Sequence, residues 1–202
     1  MDHEHKIHKR NIDITVVALE QALDMLGQLL ADRGEYHEVV IIGGGGLLLL
    51  RYIERTTKDL DLIALVKEGK LITPNPLPHG LLQAVDEVGR ALELGKEWFN
   101  TGPASLLDLG LPSGFEKRMQ TSRYGSLIVH LASRFDQICF KLYAAIDQGP
   151  YSKHFSDLKV LSPTREELVT AKEWCITQDA SQEFVTELDK AVYALETTDG
   201  SS

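Results

Sequence analysis

The sequence has few cysteines and no sign of the disulfide-rich secreted class. Only Cys139 and Cys175 occur among its 202 residues, and neither has a second cysteine nearby in the chain. Small secreted domains depend on closely spaced cysteines that form a disulfide framework. We therefore expect two reduced, buried thiols in a cytoplasmic protein.

Long apolar runs and an excess of basic residues are also missing. No segment is long and apolar enough to cross a bilayer, and the polar residues 1–8 do not resemble a signal peptide. The formal net charge is -9, which argues against a dominant basic surface for nucleic acid but leaves room for a local basic patch. We expect frayed polar tails over residues 1–8 and 196–202, and no association with a membrane.

The most informative segment joins a glycine cluster to two carboxylates. An apolar run at 39–42 is followed by Gly43 to Gly46, then by a short apolar stretch, Asp59 and Asp61. Alternate residues on a strand face the same side, so we expect Asp59 and Asp61 to point together. Glycines let a phosphate approach the backbone, and paired carboxylates hold divalent cations. The unit predicts chemistry on a nucleoside triphosphate, and the missing Gly-Lys-Ser/Thr and GxGxxG sequences argue against a P-loop or dinucleotide-binding fold.

The order of the predicted elements indicates the α+β class, with a mixed β-sheet flanked by helices. Apolar spacing and turn residues predict helices over 12–33, 45–53 and 78–94, strands over 38–42 and 60–66, and a hairpin over 116–131. The stretch 98–114 is rich in glycine and proline and is expected to be mostly loop. Only helices are predicted from Ser133 onwards, with Ser133 as the first N-cap. We expect an α+β core over 10–132 and a C-terminal helical subdomain over 133–196 that completes the cleft.

These residues resemble the nucleotidyltransferase superfamily that includes DNA polymerase β. The shared pattern is Gly-Gly, a short helix and Arg-x-Thr-x-Asp-x-Asp, here Gly43, Gly44, Arg55, Thr57, Asp59 and Asp61. The spelling Arg-Thr-x-Lys-Asp is closer to the AbiEii-type toxin branch. Two later segments resemble that branch as well: a Lys-Leu-x-Ala helix around Lys141, and a Lys/Arg-x-x-x-Asp-Leu segment that contains Asp157. The resemblance covers residues 38–66 and 133–161, and it implies a nucleotidyltransferase-like sheet.

The first block implies a metal and phosphate site. By resemblance, Asp59 and Asp61 hold Mg²⁺ (or Mn²⁺) that bridges the triphosphate, a role that suits hard carboxylate oxygens. Gly43 and Gly44 would turn backbone N–H groups towards the phosphates, and Arg55 would position the carboxylates or the phosphates. The alternatives are two exposed acids on an edge strand, tight strand–helix packing and an ordinary surface guanidinium.

The second block implies the opposite wall of the site. Lys141 lies in an otherwise apolar helix, and in the resembled branch this lysine faces the cleft and contacts the phosphates. Asp157 is expected to pair with Lys141 or to orient it, because a buried lysine needs a partner. The alternatives are a lysine that extends along the surface to solvent, and a helix N-cap at Asp157.

The chain departs from the superfamily at the third carboxylate. Many members carry such an acid on a later central strand as general base, and the corresponding strand here is expected to be 126–131, which has none. His130 on that strand is a candidate base, because the pKa of histidine suits proton transfer near neutrality. The alternative is a strand histidine that only satisfies its hydrogen bonds.

These features predict an enzyme that moves a nucleoside monophosphate from a nucleoside triphosphate to a hydroxyl group. The acceptor is open between RNA, a protein side chain and a small molecule, for which the segment 98–114 is a candidate pocket. The resemblance also implies a toxin–antitoxin or phage-defence setting with an antitoxin protein as partner. The competing hypothesis is a nucleotide-binding or protein-interaction module of the same fold that lacks turnover.

Overall fold

The protein is described by a computed structural model that covers residues 13–149 and 151–198. The predicted tail at 1–8, the predicted start of the first helix at Ile12 and residues 199–202 lie outside this described part. Residues 196–198, which we predicted to belong to a C-terminal tail, instead continue the last helix.

A mixed sheet of six strands forms the centre of the fold. The strands are β1 (His37–Ile42), β2 (Leu60–Lys67), β3 (Lys70–Ile72), β4 (Phe99–Asn100), β5 (Gln120–Tyr124) and β6 (Leu127–Leu131). Their order is β3-β2-β1-β6-β5, and β4 also pairs with β2. β1 is antiparallel to β2 and parallel to β6, so it joins the two halves of the sheet.

Helices pack around this sheet in two groups. They are α1 (Val16–Asp32), α2 (Gly43–Leu49), α3 (His79–Ala91), α4 (Ser105–Leu109), α5 (Phe115–Arg118), α6 (Arg134–Gln148), α7 (Lys153–Leu161), α8 (Arg165–Gln178) and α9 (Gln182–Thr198). α1 packs against α3, and α6 packs against α7, α8 and α9, while α2 contacts both α1 and α6. The predicted α+β class, with a mixed sheet, flanking helices and helices at the C-terminal end, is confirmed.

Local signals in the sequence explain where several helices begin and end. Ser133 is the N-cap of α6, as predicted, and its Oγ accepts a hydrogen bond from the Asp136 N–H at 3.2 Å. Thr164 and Glu167 form a capping box at the start of α8. Gly149 follows α6 with a φ of 78°. These contacts satisfy backbone groups that helix ends leave unpaired.

Several predicted boundaries are wrong. α1 begins at Val16, because Ile14 pairs with Thr57, and α2 and α3 end at Leu49 and Ala91, earlier than expected. α2 begins at Gly43, two residues earlier than expected, and a Cβ at Gly43, Gly45 or Gly46 would lie within 3.0 Å of a neighbouring side chain. This tertiary fit outweighs the low helix propensity of glycine. The hairpin strand expected from residue 116 begins only at Gln120, because residues 115–118 form the helical turn α5.

The apolar core joins the sheet to all the long helices. Its buried residues form one cluster that extends from Ile14 to Leu195. Because this one cluster includes residues from both predicted parts, it does not divide the chain at residue 132. The predicted α+β core over 10–132 and helical subdomain over 133–196 stay predictions. Within the described residues, no helix has the length and apolar character needed to cross a membrane.

Candidate functional site

The two carboxylates lie where β2 begins, next to the end of β1. Asp61 is the second residue of β2 and pairs with Ile42, the last residue of β1, while Asp59 immediately precedes the strand. On its other side, β2 pairs in parallel with β4, and this places Asn100 opposite Asp61. The Asp61 carboxylate therefore lies between the start of α2 and a short strand from the segment 98–114.

Gly43 brings the chain into direct contact with this carboxylate. A Cβ atom at Gly43 would lie 2.1 Å from Asp61 Oδ2, which is closer than any side chain tolerates. The residue also has a φ of 75°, in the left-handed region that favours glycine. Both demands favour glycine, which lets the Asp61 carboxylate pack directly against the Gly43 backbone.

Gln137 on α6 holds the same glycine from the other side. Its side chain is fully buried, and its Oε1 accepts a hydrogen bond from the Gly43 N–H at 3.0 Å. The N–H that we predicted to face a phosphate is therefore already used within the protein. Gly44 follows in the first turn of α2, where N–H groups have no partner within the helix, and it lies against Arg55 and Thr57.

Arg55, Asp157 and Lys141 form a charged cluster that joins the two predicted blocks. The Arg55 guanidinium donates to Asp157 twice, from Nε to Oδ1 at 2.8 Å and from Nη2 to Oδ2 at 2.6 Å. Lys141 Nζ lies 2.7 Å from the same Oδ2. Asp157 and Lys141 are buried, whereas the Arg55 side chain is 38% exposed. The predicted pairing of Lys141 with Asp157 is present, and neither residue extends to solvent.

The carboxylates of Asp61 and Asp157 have opposite electrostatic environments. Burial raises the pKa of Asp61, and the negative charge of Asp59 raises it further. Burial alone would also raise the pKa of Asp157, but the hydrogen bonds and charges of Arg55 and Lys141 together lower it. The pKa of Lys141 is itself lowered by burial, although Asp157 opposes this shift. The negative charge of Asp61 is therefore not compensated by nearby positive groups, whereas that of Asp157 is.

Asn100 is a site residue that the sequence did not reveal. Its Nδ2 donates to Asp61 Oδ1 at 3.2 Å, and its Oδ1 accepts from the Gly102 N–H at 2.8 Å. We predicted the third position of the site on the strand 126–131, but that strand, β6, pairs with β1 and β5. The strand that pairs with β2 at Asp61 is instead the two-residue β4. It lies in a segment rich in glycine and proline, which predicts a loop.

His130 is occupied elsewhere on the sheet. Its Nε2 lies 2.9 Å from Glu38 Oε2, and its Nδ1 lies 2.9 Å from Thr121 Oγ1. The hydrogen bond from His130 lowers the pKa of Glu38. β1 separates the strand of His130 from the strand of Asp61. These contacts fit a strand histidine with satisfied hydrogen bonds.

The start of α7 brings two further residues close to the charged cluster. Burial, together with the charges of Lys141 and Lys153, lowers the pKa of His154 to about 4, so this ring is neutral near pH 7. His154 Nδ1 is buried and has no hydrogen-bond partner among the described residues. Lys153 is exposed, and its charge lowers the pKa of Asp61 slightly against the stronger opposing causes. Lys153 is the basic residue of the predicted Lys/Arg-x-x-x-Asp-Leu segment, whereas His154 was not singled out in the sequence.

The residues present fit a hard divalent cation whose remaining ligands are oxygens of water or of a phosphate. Among residues 13–149 and 151–198, no three histidine, cysteine or acidic side chains converge on one point. Mg²⁺ is commonly held by one or two carboxylates together with substrate phosphates, and Asp59 and Asp61 supply that number. A cation there would also offset the repulsion that raises the pKa of Asp61.

Comparison with known families agrees with this geometry. Residues 18–149 match the model of a family described as nucleotidyltransferase of unknown function (DUF6036). The match runs from α1 to the end of α6, which is nearly two thirds of the chain, and includes the glycine cluster, both carboxylates, Asn100 and Lys141. No curated protein and no solved structure matches the chain. The chain belongs to this family of nucleotidyltransferases.

Proposed function

We propose that the protein is a Mg²⁺-dependent nucleotidyltransferase. It moves a nucleoside monophosphate from a nucleoside triphosphate to a hydroxyl acceptor and releases pyrophosphate. The family match supports the general activity, and the metal, the triphosphate and the acceptor are parts of the proposal. The observation that carries it is the contact of the Asp61 carboxylate with the Gly43 backbone at the start of α2.

The carboxylate pair supports the metal-binding part of this function. When bound, Mg²⁺ neutralises charge on the attacking and leaving oxygens of a phosphoryl group. Asp59 and Asp61 would hold it, and Gly43 fixes Asp61 against α2. The repulsion between the two carboxylates in the free protein is relieved when a cation binds.

The cluster around Asp157 supports the triphosphate-binding part. An ammonium has three N–H donors and a guanidinium has five, so Lys141 and Arg55 keep donors after they have bound Asp157. Arg55 is partly exposed and lies against Gly44, whose N–H has no partner within α2. Asp157 would hold both cations in the orientation that faces the phosphates, and Lys141 would stabilise the charge that develops during transfer.

The acceptor and the biological setting follow from the AbiEii-type resemblance. We propose a toxin–antitoxin or phage-defence component that acts on RNA or a protein side chain and has an antitoxin protein as partner. A small-molecule acceptor is a further option, because the segment 98–114 places Asn100 opposite Asp61. The acidic net charge of -9 favours a protein or small-molecule acceptor over RNA.

A specific observation favours the competing function, a module that binds nucleotide without turnover. The residue opposite Asp61 on β4 is Asn100, whose amide cannot accept a proton as a general base does. Such a module would keep the Gly43–Asp61 contact and the charged cluster, and would bind a triphosphate with Mg²⁺. The two functions differ only in whether a label is transferred.

The test is transfer of label from each α-³²P nucleoside triphosphate with Mg²⁺ and total RNA, total protein or candidate small hydroxyl compounds. We expect one triphosphate to label one acceptor class, and Asp59→Ala and Asp61→Ala each to abolish this labelling. Asp24→Ala is the matched control, because Asp24 is an exposed acid on α1. It should transfer label at the wild-type rate.

The other outcomes separate the two functions. Triphosphate binding that depends on Asp61, without transfer to any acceptor, would replace the enzyme with the binding module. Triphosphate binding that survives both substitutions would remove the carboxylates from the site. No binding at all would refute both functions.

A further inference from the structure

Asn100 has a fixed orientation at the Asp61 carboxylate. The backbone N–H of Gly102 donates to Asn100 Oδ1 at 2.8 Å, so the amide oxygen points away from the carboxylate. The Nδ2 group then faces Asp61 Oδ1 at 3.2 Å. The register of β2 and β4, with Leu60 opposite Phe99 and Asp61 opposite Asn100, keeps the two side chains together.

This arrangement limits the ligands that the protein offers to a cation. An N–H donor occupies one oxygen of Asp61 and brings no negative charge, and the amide oxygen of Asn100 is used by Gly102. The remaining anionic ligands are Asp59 and Asp61, and the described residues contain no group of three acidic, histidine or cysteine ligands. Two carboxylates balance the charge of one divalent cation, whereas a second cation would need further anionic oxygens.

We propose that Asn100 is a positioning residue that holds Asp61 by one oxygen and restricts the protein itself to a single divalent cation, at Asp59 and Asp61. The inference rests on the proposed metal site and adds its stoichiometry. A second cation, where the reaction uses one, has to enter with the triphosphate and be held by its phosphate oxygens. An aspartate at this position would supply the missing ligand.

The test counts Mn²⁺ bound to the nucleotide-free protein, by equilibrium dialysis and by the EPR signal of the free ion. We expect one Mn²⁺ per chain on the wild type, none at this site in Asp61→Asn, and two on Asn100→Asp. Asn100→Ala should keep one Mn²⁺ with a dissociation constant raised by about tenfold, the usual effect of losing a residue that orients a ligand. Circular dichroism spectra identify any variant that has not folded.

Several results would overturn the inference. They are two Mn²⁺ or none on the wild type, an unchanged count on folded Asn100→Asp, or wild-type affinity in Asn100→Ala. If Asn100→Asp does not fold, the wild type and Asn100→Ala still decide the question. If the wild type transfers label and binds two Mn²⁺, the proposed stoichiometry is rejected and the proposed function stands. If it binds one Mn²⁺ and transfers label to no acceptor, the stoichiometry stands and the proposed function is rejected.

Discussion

Asp61 and Asp157 are carboxylates of one site, the first half-buried and the second buried, and their surroundings are opposite. Asp157 receives a bidentate contact from Arg55 and an ion pair from Lys141, with distances of 2.6–2.8 Å. Asp61 receives one amide N–H from Asn100 at 3.2 Å and faces the charge of Asp59. The pKa of Asp157 is lowered, and the pKa of Asp61 is raised.

This difference indicates that Asp157 is part of the scaffold and that Asp61 is available to bind a ligand. A buried charge is costly unless it is paired, so a chain that leaves Asp61 short of positive charge gives up stability at that position. At Asp157 the hydrogen bonds and charges of Arg55 and Lys141 outweigh this cost, so its pKa is lowered. A carboxylate whose pKa is raised by burial and by a like charge, as at Asp61, is typical of functional sites.

The largest expected effect distinguishes the two carboxylates by stability. Asp157→Asn leaves Lys141 as a buried charge without an anionic partner, so we expect the free energy of unfolding to fall by about 3–5 kcal/mol. Asp61→Asn removes a repulsion and should leave the free energy of unfolding in metal-free buffer equal to that of the wild type or higher. Urea denaturation at pH 7 measures both changes. Equal losses in the two variants would show that both carboxylates belong to the scaffold.

The pH dependence of these two stability differences should have opposite senses. The pKa of Asp157 lies below its ordinary value of 3.8 in the folded state, so its stabilising effect is present above pH 3.8 and is lost as the pH falls through the lowered pKa. The pKa of Asp61 lies above 3.8, so the wild type matches Asp61→Asn below that pH and loses stability relative to it as the pH rises through the raised pKa. Urea denaturation from pH 3 to pH 8 follows both differences, and a parallel course would contradict the contrast.

A glycine pair tests the close contact between Gly43 and Asp61. Gly43 and Gly34 both have positive φ angles, of 75° and 67°, but only Gly43 has a neighbour where a Cβ would lie. Alanine at either position should cost about 1–2 kcal/mol through backbone strain. Gly43→Ala should also displace Asp61 and abolish Mn²⁺ binding, whereas Gly34→Ala should bind Mn²⁺ as the wild type does. Loss of Mn²⁺ binding in both variants would point to a general effect of strain.

The residues that sequence reasoning identified carry their signal in local patterns. Gly43, Gly44, Asp59 and Asp61 lie within one strand–helix–strand unit, where alternation and glycine placement are visible from spacing alone. Lys141 was visible as a charge inside an apolar helix, and a buried lysine requires an anion. The structure brings Lys141 to Asp157, and Asp157 to Arg55, so the two blocks meet although 102 positions separate Arg55 from Asp157.

The residues that sequence reasoning missed depend on contacts between distant segments. Asn100 lies in a strand of two residues, within a stretch whose glycines and prolines indicate a loop. Gln137 reaches Gly43 across 94 positions of sequence, and no local pattern predicts that contact. Whether so short a segment forms a strand depends on pairing with a neighbouring strand more than on its own propensity. β4 therefore cannot be predicted without knowing that it pairs with β2.

The smallest effect is expected at His130, and it tests whether Glu38 belongs with Asp157 among the compensated carboxylates. His130→Gln keeps an N–H donor for Glu38, so we expect the free energy of unfolding to fall by no more than about 1 kcal/mol, the usual net value of one hydrogen bond. Label transfer should stay within about twofold of the wild type, because a lost general base typically costs about 10²–10⁴-fold. The same radiolabel assay, run beside Asp61→Asn, measures it. A hundredfold loss of label transfer with unchanged stability would support His130 as the general base. It would also mean that a hydrogen bond to a carboxylate, here Glu38, does not by itself identify a residue as part of the scaffold.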